Sequence, residues 1–133
     1  MATAPVFAAT PHTGIAVLST LNTSRDGTGT IVALFTPGAS GSRVTQTRFT
    51  ATVTSTAQLV RIYRSVDSGT TWKLWQEVGM IAVTIATGVP GATSTASFID
   101  ASGQPITIAS TDRIGAAAET ANNIVAVTEY SDL

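Results

Sequence analysis

The chain has 133 residues, no cysteine, seven Lys and Arg against eight Asp and Glu, and a formal net charge of −1. That length fits one domain with a real core, and the missing cysteines exclude a disulfide framework or a thiolate metal site, so packing alone must hold the fold. Scattered cations with no basic face exclude a run of phosphate contacts, and no apolar stretch approaches the ~20 residues of a membrane-spanning helix; neither nucleic acid nor membrane is expected as a partner.

In chain order, residues 1–13 hold Pro5 and Pro11 among Ala and Thr and predict an extended N-terminal arm, with an apolar spot at Val6 and Phe7. The N-terminus lacks a basic segment followed by an apolar core. The expectation is a protein made in a cytoplasm that stays there or leaves as part of a larger object. From residue 14 on, Thr and Val dominate segments punctuated by Gly, Pro, Asp and Asn, which is the pattern of strands and turns. Strands are predicted at Ile15–Thr20, Thr30–Thr36, Val44–Thr54, Gln58–Val66, Thr71–Val78, Ile81–Thr87, Thr93–Ile99, Pro105–Ala109 and Asn123–Glu129. Turns are predicted at Arg25-Asp26-Gly27, Pro37-Gly38, Val89-Pro90-Gly91 and Ala101-Ser102-Gly103. Gly115–Thr120 is Ala-rich, but too short to stand as a helix. Short strands at this spacing predict an all-β domain over residues 14–133: an antiparallel sandwich, jelly roll or barrel.

Gln58–Val78 is the most informative stretch. Alternation places Val60, Ile62 and Val66 on one face and Leu59, Arg61, Tyr63 and Ser65 on the other. If Val66 opposes Trp72, then Tyr63 opposes Trp75 and Arg61 opposes Glu77, an aromatic and an opposite-charge pair in one register. The face with Val60 and Ile62 is expected to be the core, with Trp72 plugging the base of the hairpin into it. The turn Ser65-Val66-Asp67-Ser68-Gly69-Thr70-Thr71-Trp72 matches the Asp-box pattern S-x-D-x-G-x-T-W. Gly69 permits positive φ and Asp67 accepts bonds from loop amides. This segment resembles the Asp-boxes of sialidase propellers, where the motif repeats and is structural. A single copy in a chain this short implies a hairpin, not a sialidase.

Catalytic chemistry finds few candidates. His12 is the lone histidine and sits in the arm. Asp26, Asp67, Asp100, Asp112 and Asp132 mostly sit beside Gly or Ser, in turns or at the tail, where Asp bonds locally. Thr28-Gly29-Thr30 and Ser40-Gly41-Ser42 carry no phosphate-loop lysine, and Asp26-Gly27 lacks the spacing of a calcium loop. The expectation is a protein that is not an enzyme and takes no cofactor or metal. Low charge beside 44% hydrophobic residues instead suits a surface packed against copies or partners. Trp75, placed by alternation away from the core with Tyr63, is expected either in an interface or second core layer, or on an exposed sugar-binding platform.

Ala4-Pro5-Val6-Phe7-Ala8-Ala9-Thr10-Pro11, Asn22–Thr30, Gly38–Arg43 and Arg61…Leu74-Trp75-Gln76-Glu77-Val78 together resemble small virion proteins of tailed bacteriophages and prophages, of the capsid decoration or cement type. The likeness covers roughly the first 80 residues well and the rest loosely. It implies a jelly-roll-like β-sandwich and a homotrimer on the capsid exterior, bound to the major capsid protein at three-fold or quasi-three-fold positions. Val6, Phe7, Tyr63 and Trp75 are the candidate partner contacts. A carbohydrate- or receptor-binding module of a phage tail is the alternative.

Overall fold

The computed structural model describes residues 10–120 and 123–133. They form nine strands: β1 (Thr10–Leu18), β2 (Val32–Ala33), β3 (Ser42–Ala51), β4 (Gln58–Ser65), β5 (Lys73–Met80), β6 (Thr93–Ser97), β7 (Ile106–Ile108), β8 (Arg113–Ala118) and β9 (Ile124–Asp132). All their pairings are antiparallel. One sheet has the order β1-β9-β3-β6, with β7 also on β3; the other has the order β2-β8-β4-β5. The fold is an all-β sandwich.

Alternation builds its core. Along β3, Val44, Thr47, Phe49 and Ala51 are buried while Arg43 and Arg48 face water. A bulge at Thr45 resets the period between Val44 and Gln46, and the Thr45 carbonyl accepts the Phe98 amide at 2.8 Å. From the opposite sheet come Val60, Ile62, Ile114, Ala116 and Ala118, all buried. Thr47 and Thr128, the polar pair inside, satisfy each other through their hydroxyls at 2.6 Å.

Four expectations need correction. Thr10–Thr13 belong to β1, paired with the end of β9 from Thr10↔Asp132 onward, so the boundary at residue 13 falls inside a strand. Val6 and Phe7 lie outside the described residues. Ile81–Thr87 is not a strand: only Ser55↔Val83 and Ala86↔Val89 bridges occur there, and Gly88 (φ 80°) and Pro90 turn the chain. Arg113–Ala118, overlapping the Ala-rich stretch, is the buried strand β8. Its alternation is invisible in the sequence because both of its faces are covered, so small apolar residues fill both.

The fourth concerns the hairpin. β4 and β5 do pair, with Arg61 opposite Glu77 as expected, but the register shifts between Ile62 and Tyr63, so Tyr63 opposes Leu74 rather than Trp75. Trp75 is the extra residue of a β-bulge. Val66 leaves the ladder for the turn and is 73% exposed.

Candidate functional site

The Asp-box turn is built from its own side chains. Ser65 Oγ donates to Asp67 Oδ1 at 2.6 Å and accepts the Gly69 amide at 2.9 Å, while Asp67 Oδ1 accepts the Thr71 amide at 2.8 Å. Ser68 and Gly69 take the left-handed region, at φ 60° and 90°. The Ser65 hydroxyl and then the Thr71 amide hold the Asp67 carboxyl down at about 2. Ser65, Asp67, Gly69 and Thr71 thus close a turn. Trp72 does not plug the core: its ring lies outside the four-stranded sheet, beside Gly115, where an added Cβ would meet it at 2.8 Å.

The bulge sends the other tryptophan inward. Trp75 packs against the core and stacks on Phe98, with centroids 5.2 Å apart at 24°. The Arg64 guanidinium covers the ring at 5.0 Å and reaches Asp112 at 3.6 Å. Tyr63 is on the other side of the sheet and fully buried, its hydroxyl donating to the Ser24 carbonyl at 2.5 Å. The structure therefore does not bring Tyr63 and Trp75 together as an exposed platform.

What covers Tyr63 is the segment from Leu21 to Ile31. Its anchor is Asn22, whose amide donates to the Ala118 carbonyl at 2.8 Å and whose side chain donates to the Thr28 and Thr30 carbonyls. Beneath it Arg61 is 3% exposed, donating to Glu119 at 2.6 Å and to the Asn22 carbonyl at 3.3 Å, with Glu77 at 3.8 Å. The Leu59 amide, and after it Arg61, lowers the Glu119 carboxyl below its usual range. Sequence alternation assigned Arg61 to the correct face but missed that this face is roofed. Asn22, Asp26 and Gly27 are the residues whose turn chemistry carries that signal.

His12 lies in a surface groove of about 370 Å³ lined also by Thr45, Glu129 and Tyr130. Its Nε2 is 3.0 Å from Asp132 Oδ2, and its ring stacks on Tyr130. Asp132 also accepts from Ser42 Oγ at 2.7 Å and from the Gly38 amide at 3.1 Å; the Ser42 hydroxyl is the main reason its carboxyl is lowered. The cluster ties the start of β1 to β9, β3 and the preceding turn. Among the described residues no group of three or more His, Asp or Glu is placed to hold a metal ion.

Compared with models of known families and with curated proteins, the chain matches none. Surface character therefore has to carry the functional reading. On the outer face of the five-stranded sheet, Ile15 opposes Val127 and Val17 opposes Val125, with Ile15 70% and Val17 49% exposed. β1 is an edge strand of that sheet, so its outer backbone groups have no strand partner among the described residues.

Proposed function

We propose that this protein is a structural virion component, a decoration or cement protein that binds the exterior of a tailed-phage capsid and stabilises it. The observation that carries the reading is the apolar strip beside the open edge of β1, in which Ile15 and Val17 are exposed and Val125 and Val127 half-buried. A strand edge with aliphatic side chains next to it is a template for β-augmentation, in which backbone bonds give affinity and side chains give register. Residues 1–9, which carry Val6 and Phe7, precede this strand in the chain and would supply a further contact to a neighbour. The strand order β1-β9-β3-β6 facing β2-β8-β4-β5, with the chain changing sheet at every step except β4 to β5 and β6 to β7, supports reading the sandwich as a jelly roll, and the resemblance supports a homotrimer seated on the major capsid protein. A clamp that binds only assembled shell shifts the equilibrium toward the shell by mass action.

The test is co-sedimentation of the full chain with shells assembled from the major capsid protein encoded in the same genome. The expected result is saturable binding and shells that withstand higher temperature, with both effects weakened by deleting residues 2–9. Absence of binding to such shells overturns the reading.

A further inference from the structure

Charge is unevenly spread along the strand axis, with Arg48, Arg61, Glu77 and Glu129 in the body of the strands. His12, Arg43, Asp67, Lys73, Asp100, Asp112, Arg113 and Asp132 all lie toward the end where β3 and β5 begin and β4 and β9 finish. The opposite end carries residues 52–57 and 81–92 beside Glu119, Thr120 and Asn123, and the sequence from Phe49 to Val60 and from Ile81 to Ile99 contains no Asp, Glu, Lys, Arg or His. Glu119, which follows β8 at this same end, is the carboxylate there and is engaged by Arg61 and the Leu59 amide.

These uncharged loops are apolar and held in shape. Val53, Ile81, Ile85 and Val89 are 41%, 68%, 38% and 45% exposed, and every residue from Ile81 to Pro90 except Val83 is exposed. Ser55 and Val83 exchange backbone bonds at 2.9 and 3.1 Å. Ser55 Oγ donates to the Ile81 carbonyl at 3.1 Å, and the Ile85 amide donates to Thr54 Oγ1 at 3.2 Å. An aliphatic loop fixed in this way loses little freedom when it is covered.

We propose that these uncharged loops form the surface through which copies of this chain meet. Near a symmetry axis each side chain faces its own copy, so any charge there meets a like charge, and a surface free of charge removes that repulsion. A different partner would tolerate charges by offering opposite ones. The loops have no Lys, Arg, Trp or Tyr to anchor at a lipid interface, which argues against a bilayer. The exposed Thr52, Thr54, Thr84 and Thr87 extend the patch with hydroxyls able to pair across a seam. The inference rests on the assembly reading above and assigns its seam.

The experiment is sedimentation equilibrium of the full chain at micromolar concentration, with Ile81→Lys, Val89→Glu and, as control, Val66→Lys in the charged-end turn. All three sites are exposed, and circular dichroism checks that each variant is folded. The expected result is an oligomer for the unsubstituted chain and for Val66→Lys, with association weakened at least tenfold in Ile81→Lys and Val89→Glu. A monomeric unsubstituted chain overturns the inference, and so does an oligomer that both end-loop variants leave intact. Binding of these proteins to shells is read separately. A chain that self-associates through this end without binding shells keeps the inference and removes the decoration role. Variants that keep their mass but lose shell binding overturn the inference and leave that role standing.

Discussion

Arg61 Nη2 sits 2.6 Å from Glu119 Oε1, with the guanidinium buried and the carboxylate still touching water. Removing the carboxylate strands a desolvated charge, whereas removing the guanidinium and filling its volume strands nothing. Glu119→Ala is therefore expected to cost about 3 kcal/mol, and Arg61→Met clearly less. Urea midpoints of the two variants decide it; equal and small losses would show that the pair is not what holds the roof over β4.

Acid should unfold the protein from one side only. Asp67 has its carboxyl held down at about 2, and Asp26, Glu119 and Asp132 are shifted the same way. A lowered folded pKa means stability that is complete above the unfolded value, about 4 for a carboxylate, and lost as pH falls toward the folded one. Denaturant midpoints measured from pH 7 to pH 2 are expected to fall below about pH 4. Asp67→Asn should lower the plateau at neutral pH and shrink the acid loss, and an unchanged acid slope would exclude the turn as its source.

Gly115→Ala tests the outer packing of β8. The new methyl carbon would lie 2.7 Å from Ile31 Cγ2 and 2.8 Å from the Trp72 ring. Overpacking of this kind costs about 1–3 kcal/mol and displaces the indole. Because Trp72 and Trp75 are the two tryptophans of the chain, fluorescence reports it as a red shift with Trp75 unaffected. An unshifted spectrum would mean that Trp72 is not seated over Gly115.

Trp75→Ala should behave as a stability variant. The ring stacks on Phe98 and lies under Arg64, but it is only partly buried, so a loss of about 2–3 kcal/mol is expected, below that of a fully buried tryptophan. Calorimetry measures it. A variant as stable as the parent that loses partner binding would restore the interface role for this residue.

Strand positions were legible wherever one face of a strand meets water. Arg43, Val44, Arg48 and Phe49 state the faces of β3, and Asp67, Gly69 and Trp72 mark the β4–β5 turn. The reading failed where alternation is suppressed or shifted. In β8 the residues Gly115, Ala116 and Ala117 are small because Trp72 and Tyr63 lie on one side and the core on the other. At Trp75 one inserted residue exchanges the faces that a period of two assigns, and no propensity announces it. The candidate site suffered most, since Tyr63 was assigned to a surface that the segment around Asn22 covers.

The pairing of β9 has a kinetic side. This last strand lies between β1 and β3, and Asp132 is opposite both Thr10 and Ser42. Ladders between residues so far apart in sequence close slowly, because the chain entropy is lost before the contacts form. During synthesis β1 waits without a strand partner in its sheet until β9 has been translated, with its aliphatic side chains and its edge open to nascent copies. The hairpin of β4 and β5 needs no such wait, so the sandwich is expected to grow from that local nucleus and to acquire its five-stranded sheet last.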